Sequence, residues 1–294
     1  MWWRIRDFFT NAFLAVRLWI YVKFIPRKFK DVNNPIEKKG WELTFNDEFD
    51  QGKLDRKKWR TDTYFGLRFH PVNITEKGIA PEMYYGDNMF EFEGSVMRQK
   101  TDKNPITVSY VDWDGKDWGK YTIPYRVGQI DSSKSFRQKY GYWEIRSKIT
   151  SEPGNWPAFW MASIDEYPPE TDVYEIYTGK KNGIKSFESN FHWKNNPNKV
   201  EDPKRMKVKG HRVMNVSEDF HTYAWEWTEK CMKIYYDNIL VRVYSNPRMM
   251  KHFRTPMHVI INSGVHVKQG SEKANYPNYH EVDYVRVYAK KYKV

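Results

Sequence analysis

Tyr142-Trp143-Glu144-Ile145-Arg146-Ser147-Lys148-Ile149 decides the fold class. By the two-residue period of an extended chain, Trp143, Ile145 and Ile149 share one face and Glu144, Arg146 and Lys148 the other, as a half-buried strand requires. Working outward, Met232 to Tyr236 and Ile239 to Tyr244 repeat the pattern around Asp237-Asn238, a dipeptide suited to a tight hairpin turn. His221 to Trp227, Met257 to Ile261 and Val282 to Tyr288 add further strands. From Gly40 onward no long helical periodicity interrupts these segments, which implies an all-β sandwich or jelly roll.

The 294 residues suit one large domain with an appendage. Residues 1–31 are expected to form an amphipathic helix and basic linker, and residues 32–294 the jelly-roll domain. Trp2, Ile5, Phe9, Phe13, Val16 and Ile20 recur at three- and four-residue spacing, so a helix is predicted up to about Ile25, with Pro26 ending it. The charged stretch from Arg27 to Lys39 reads as a linker. Arg17 interrupts the apolar run and no small-residue cleavage site follows, unlike a signal peptide. The helix therefore suits an uncleaved anchor or a segment lying in a membrane interface, docking onto a partner protein, or packing on its own domain. An extracytoplasmic or membrane-associated location is expected.

A single cysteine, Cys231, excludes an intrachain disulfide framework and a cysteine-based zinc cluster. Of the net charge of +12, residues 1–31 carry seven cations against two acids, leaving about +7 for the rest. That surplus fits a sulfated or uronic glycan, a membrane surface or plain hydration. No nucleic-acid-binding motif is present. The 13 Trp, 21 Tyr and 17 Phe are numerous enough both to fill a core and to offer flat platforms to sugar rings.

Glu170-Thr171-Asp172-Val173-Tyr174-Glu175 places three acids in a segment whose neighbours read as strand, although acids are poor strand formers. Glu170 and Asp172 share a face by period, whereas Glu175 joins them only if a β-bulge at Val173 or Tyr174 inserts one residue. The outer pair could then serve glycoside hydrolysis, in which one carboxylate attacks the anomeric carbon and a protonated partner donates to the leaving oxygen. Crowded like charges keep one member protonated, and Asp172 could share a proton with the nucleophile. Taken alone, the pattern also fits a solvated acidic patch or a cation site.

With its flanks the motif resembles glycoside hydrolase family 16, the laminarinases, lichenases, agarases and carrageenases. The resemblance runs through Asn46-Asp47-Glu48-Phe49-Asp50, Gly128-Gln129-Ile130-Asp131-Ser132, Trp156-Pro157-Ala158-Phe159-Trp160, Phe191-His192-Trp193 and Val282-Asp283-Tyr284-Val285-Arg286. It implies a jelly-roll sandwich of two antiparallel sheets with a concave substrate cleft. It further implies Glu170 as nucleophile, Asp172 as its assisting acid and Glu175 as general acid/base, in the bulged subgroup of the family. Trp156 and Trp160 would line the cleft, and His192 and Asn262 would bond substrate hydroxyls. Catalysis needs no cofactor, while Glu48 and Asp283 would hold a structural calcium ion. The chain departs from the pattern at Pro168-Pro169, Thr171 and Val265-His266-Val267, which leaves the glycan open. A retaining endo-β-glycosidase acting on β-1,3 or β-1,4 bonds of a laminarin-like polysaccharide is expected. The alternatives are a sulfated-galactan hydrolase, a transglycosylase, or a catalytically silent carbohydrate-binding protein.

Overall fold

The computed structural model describes residues 2–25, 33–63, 83–111, 117–195 and 204–291. Helix α1 (Trp2–Phe24) precedes β1 (Trp41–Asp47), β2 (Met83–Tyr85), β3 (Phe90–Glu93), β4 (Val96–Asp102), β5 (Ile106–Val111) and β6 (Asp117–Ile123). Then come β7 (Tyr125–Val127), β8 (Gln129–Asp131), β9 (Gly141–Lys148), β10 (Ala158–Ala162), β11 (Glu170–Glu175) and β12 (Ser186–Trp193). The chain closes with β13 (Arg205–Arg212), β14 (His221–Trp227), β15 (Met232–Tyr236), β16 (Ile239–Tyr244), β17 (His258–Asn262) and β18 (Asn278–Lys290).

Two sheets stack into the expected jelly-roll sandwich. The ten-stranded sheet runs β16-β15-β14-β9-β18-β4-β7-β2, with β1 on β18 and β3 on β4, and the six-stranded sheet runs β13-β12-β11-β10-β17-β8. Strands β8, β9 and β10 alternate between the sheets, as do β16, β17 and β18, so the core is closed by crossings rather than by a simple meander. Neighbours in the six-stranded sheet are antiparallel throughout. Between the layers lie Trp143, Ile145, Phe159, Met161, Val173, Tyr174, Phe191, Trp225 and Trp227, all fully buried. Each such side chain contributes about 1.5–3 kcal/mol by removing apolar area from water. The Asp237-Asn238 turn forms as the sequence predicts, with both residues at positive φ, 46° and 63°.

On β9 the structure differs from simple alternation. Trp143 and Ile145 point into the core, but Glu144 on the opposite face is also buried. The reason is a second cover: Asn34 donates to Glu144 at 2.8 Å, the Lys38 ammonium lies 3.6 Å from it, and the Tyr284 hydroxyl donates at 3.1 Å. Arg286 and Tyr288 hold this cover through the carbonyls of Asn34 and Ile36. The described part of the stretch read as a linker is therefore laid across the outer face of the sheet. Residues 26–32, with Pro26 and the boundary drawn between 31 and 32, lie outside the described residues.

Helix α1 packs on its own domain, against β16 and β13, the outer strands of the two sheets. Its first half is held by polar contacts. Asp7 accepts from the Ser245 backbone N–H at 2.8 Å and from its hydroxyl, while the Asn11 amide donates to the Val243 carbonyl at 2.8 Å and accepts from the Val243 N–H at 3.0 Å. Asn11 thus satisfies the unpaired backbone of an edge strand, which is otherwise an invitation to edge-to-edge association. Leu14 and Leu18 are buried beside these bonds.

Candidate active site

Cross-strand register assembles the site. Directly opposed residues of antiparallel strands share a face, and β10 pairs Ala158 with Glu175, Trp160 with Asp172 and Ala162 with Glu170. The register slips by one residue at Val173, and the β11–β12 ladder slips likewise between Asp172 and Glu175. This bulge brings Glu175 to the face of Glu170 and Asp172, while Val173 and Tyr174 both turn into the core. Without it the spacing of five residues would bury Glu175 between the sheets. Small Ala158 and Ala162 leave room beside the acids, and β12 contributes Asn190 opposite Asp172 and His192 opposite Glu170. On β17, Asn262 lies opposite Ala158.

Glu170 and Asp172 are bridged by one imidazole. His192 Nε2 lies 3.2 Å from Glu170 Oε1 and 3.0 Å from Asp172 Oδ2. The other Glu170 oxygen accepts from the Lys204 ammonium at 3.0 Å and from the Tyr167 hydroxyl, with Lys204 also 2.8 Å from that hydroxyl. Burial, reinforced by the neighbouring Glu170 charge, raises the pKa of Asp172 well above the usual carboxylate range. Burial also lowers the pKa of His192, which favours a neutral ring.

Glu175 stands in a separate cradle. Its Oε1 accepts from the Trp156 indole N–H at 3.0 Å and the Tyr177 hydroxyl at 3.2 Å, and its Oε2 accepts from the Asn190 amide. These donors favour the ionised form, but burial acts the other way and dominates. Together with the charges of Asp172 and Glu170 it pushes the Glu175 pKa up to about 8. A carboxylic acid that keeps its proton near neutral pH can donate it to a leaving group.

Of the aromatic residues expected to line the cleft, Trp160 is half-buried and its N–H is held by Asn262 Oδ1 at 2.6 Å. The Asn262 amide nitrogen turns to the Ser263 carbonyl, so this residue orients Trp160. The Trp156 ring stacks on Tyr177 with centroids 5.3 Å apart, and its N–H serves Glu175. His192 is engaged with the two acids.

Glu48 and Asp283, expected to hold calcium, do not fit a cation. Arg286 grips Glu48 through two nitrogens at 2.9 and 2.7 Å, and Arg146 bonds Asp283 at 2.7 Å. Each carboxylate is already neutralised by its own guanidinium. Among the described residues, the donors of Glu170, Asp172 and His192 converge within 4.8 Å, but they bond one another and Lys204.

Sequence reasoning missed Asn190, Tyr177, Tyr167 and Lys204. Asn190 and Tyr177 carried a signal: each lies two residues from a named site residue, His192 and Glu175. Tyr167 and Lys204 reach Glu170 from loops, where no period applies.

Comparison with known proteins shows the family and the fold. The family model for glycosyl hydrolases family 16 matches residues 88–286. A beta-glucanase of Rhodothermus marinus is 28% identical over 274 residues, covering 84% of this chain and 85% of its own. An endo-1,3-1,4-beta-glycanase of Rhizobium meliloti (strain 1021) is 29% identical over 169 residues, 56% of this chain and 34% of its own length. The chain thus spans about a third of that relative. Among solved structures, the catalytic domain of an endo-1,3-beta-glucanase (laminarinase) from Thermotoga petrophila RKU-1 superposes with a TM-score of 0.66 at 27% identity, covering 86% of this chain and 99% of the other.

Proposed function

Because the chain belongs to the glycosyl hydrolases of family 16, we propose that it is a retaining endo-β-glycosidase that cleaves internal β-1,3 or β-1,4 linkages of a glucan. The observation that carries this reading is the bulge at Val173, which sets Glu170, Asp172 and Glu175 on one face of the sheet, where burial raises the Glu175 pKa to about 8.

In the first step Glu170 attacks the anomeric carbon and Glu175 donates its proton to the departing glycosidic oxygen, leaving a glycosyl ester on Glu170. In the second step ionised Glu175 takes a proton from water, which displaces the ester and restores the β configuration. Asp172, whose pKa burial raises, is linked to Glu170 through His192 and can share a proton with the nucleophile. Lys204 and Tyr167 fix the Glu170 carboxylate and would part from the attacking oxygen as substrate enters. Trp160 offers a face to a sugar ring. The steps draw on water and these side chains alone.

The names of the relatives support a β-glucan as substrate. One observation favours a sulfated galactan as the alternative: the Lys204 ammonium stands 3.0 Å from the Glu170 carboxylate, where a sulfate group could pair with it. Incubation with laminarin, mixed-linkage glucan, agar, carrageenan and porphyran, followed by NMR of the first-formed anomer, separates the two. Internal cleavage of a glucan with β-anomer formed first is expected. Release of the α-anomer would exclude the double displacement. Binding without cleavage of any glycan would make the protein a silent binder. Higher oligosaccharides formed from an added acceptor would make it a transglycosylase.

A further inference from the structure

Helix α1 turns the wrong side outward for an ordinary surface helix. The stripe docked on the domain is Asp7, Asn11, Leu14, Leu18 and Tyr21, in which hydrogen bonds at Asp7, Asn11 and Tyr21 flank the two buried leucines. The opposite stripe, spaced at three and four residues, consists of large apolar side chains facing solvent, with Trp2 85%, Phe9 66% and Phe13 68% exposed and Ile5, Val16 and Ile20 more than a third exposed, and Trp19 and Phe24 are exposed beside it. A surface helix normally buries such a stripe, and a contiguous apolar face of this length marks an interaction surface.

Charge identifies what covers it. Arg4, Arg17 and Lys23 lie on the helix, and Arg27, Lys28 and Lys30 follow in the sequence. The Lys23 ammonium sits 4.9 Å from the Trp19 ring centre and 5.3 Å from that of Phe24, so it rides above the apolar face. The one acid of the helix, Asp7, is buried against Ser245. The exposed side therefore carries cations and no carboxylate. A second copy meeting this face would set cation against cation with no acid to pair. An anionic lipid surface instead supplies both acyl chains for the rings and phosphates for the cations. No helix among the described residues is long and apolar enough to cross a membrane. We propose that α1 is an interfacial membrane-docking helix that seats the domain on anionic lipid, its apolar face in the headgroup boundary and its polar stripe fastened to the sandwich edge. Since α1 straps β13, the outer strand of the sheet that carries the acids, docking sets that edge of the sheet beside the lipid surface.

Flotation of the full-length protein with vesicles tests this. Vesicles of phosphatidylcholine with phosphatidylglycerol are expected to carry the protein, and added salt to weaken the association. The triple variant Phe9→Ser/Phe13→Ser/Trp19→Ser should float at least about tenfold less while keeping its thermal midpoint, because these side chains point away from the domain. Arg4→Gln/Arg17→Gln/Lys23→Gln should lose the preference for phosphatidylglycerol over phosphatidylcholine alone. Failure of the unaltered protein to float, or equal flotation of the triple variant, would overturn the proposal. So would a concentration-dependent dimer abolished by the same apolar substitutions. Glycan cleavage is read separately in lipid-free solution, so either proposal can fail without the other.

Discussion

Removing the Tyr177 hydroxyl is expected to move the alkaline limb of the activity profile. That hydroxyl donates to Glu175 Oε1 at 3.2 Å and lowers the pKa of an acid that burial raises to about 8. A hydrogen bond to a charged group is worth about 1.5–3 kcal/mol, and one pKa unit corresponds to about 1.36 kcal/mol. At 3.2 Å, and with the Trp156 N–H sharing the same oxygen, the lower end applies, so Tyr177→Phe should raise the Glu175 pKa by about one unit. Trp156→Phe removes a shorter bond of 3.0 Å and should act in the same direction by a comparable amount. The sign follows from which form is stabilised. The donors bond the carboxylate more strongly than the acid, so their loss extends the pH range over which Glu175 keeps its proton. The assay is kcat against pH on a soluble glucan, because kcat reports the enzyme–substrate complex and kcat/KM the free enzyme. An upward shift of the alkaline limb in both variants is expected, with the double variant shifted by less than the sum since the donors share one acceptor. A limb that stays in place or moves to lower pH would refute the assignment of Glu175 as the proton donor.

Two further outcomes follow from buried groups. Glu175 holds its proton in the folded chain up to about pH 8 but ionises near its ordinary value, 4.5, when unfolded. Between those values the folded state binds more protons, so stability falls as pH rises across that window, by a few kcal/mol at most as an order of magnitude. Glu175→Gln should flatten that fall in denaturant titrations at pH 5 and pH 8, and an identical fall in the variant would contradict the buried-acid description. Asp7→Ala leaves the Ser245 N–H and hydroxyl without their carboxylate partner, at a cost of about 1–3 kcal/mol in urea unfolding. A change below about 0.5 kcal/mol would mean the helix is not fastened there.

Much of the architecture was legible in the sequence because strand alternation is a local signal. The core residues of β9, the Asp237-Asn238 hairpin and the bulge in β11 were each readable from a few neighbouring positions. The need for the bulge follows from counting: acids at positions i, i+2 and i+5 cannot share a face of a regular strand. What stayed hidden depends on segments far apart in the chain. Glu144 looks like an exposed strand residue until Asn34 and Lys38 are laid over it. The stripe that announced α1 faces solvent, because Asp7 and Asn11 pair with the edge backbone of β16 and fix the rotation of the helix. Glu48 and Asp283 read as oxygen ligands, yet Arg286 and Arg146 reach them from β18 and β9. The hydrogen bond from the Trp156 N–H to Glu175 also joins residues 19 apart in the chain.

The most direct test is the site of covalent attachment. Inactivation with a 2-deoxy-2-fluoro-β-oligoglucoside carrying dinitrophenolate as leaving group keeps formation of the glycosyl ester fast while its breakdown is slowed, and peptide mass spectrometry then locates the sugar. Attachment to Glu170 is the expected result. A label on Asp172 or Glu175, or none despite turnover of the parent glycan, would contradict the division of roles between the two outer carboxylates.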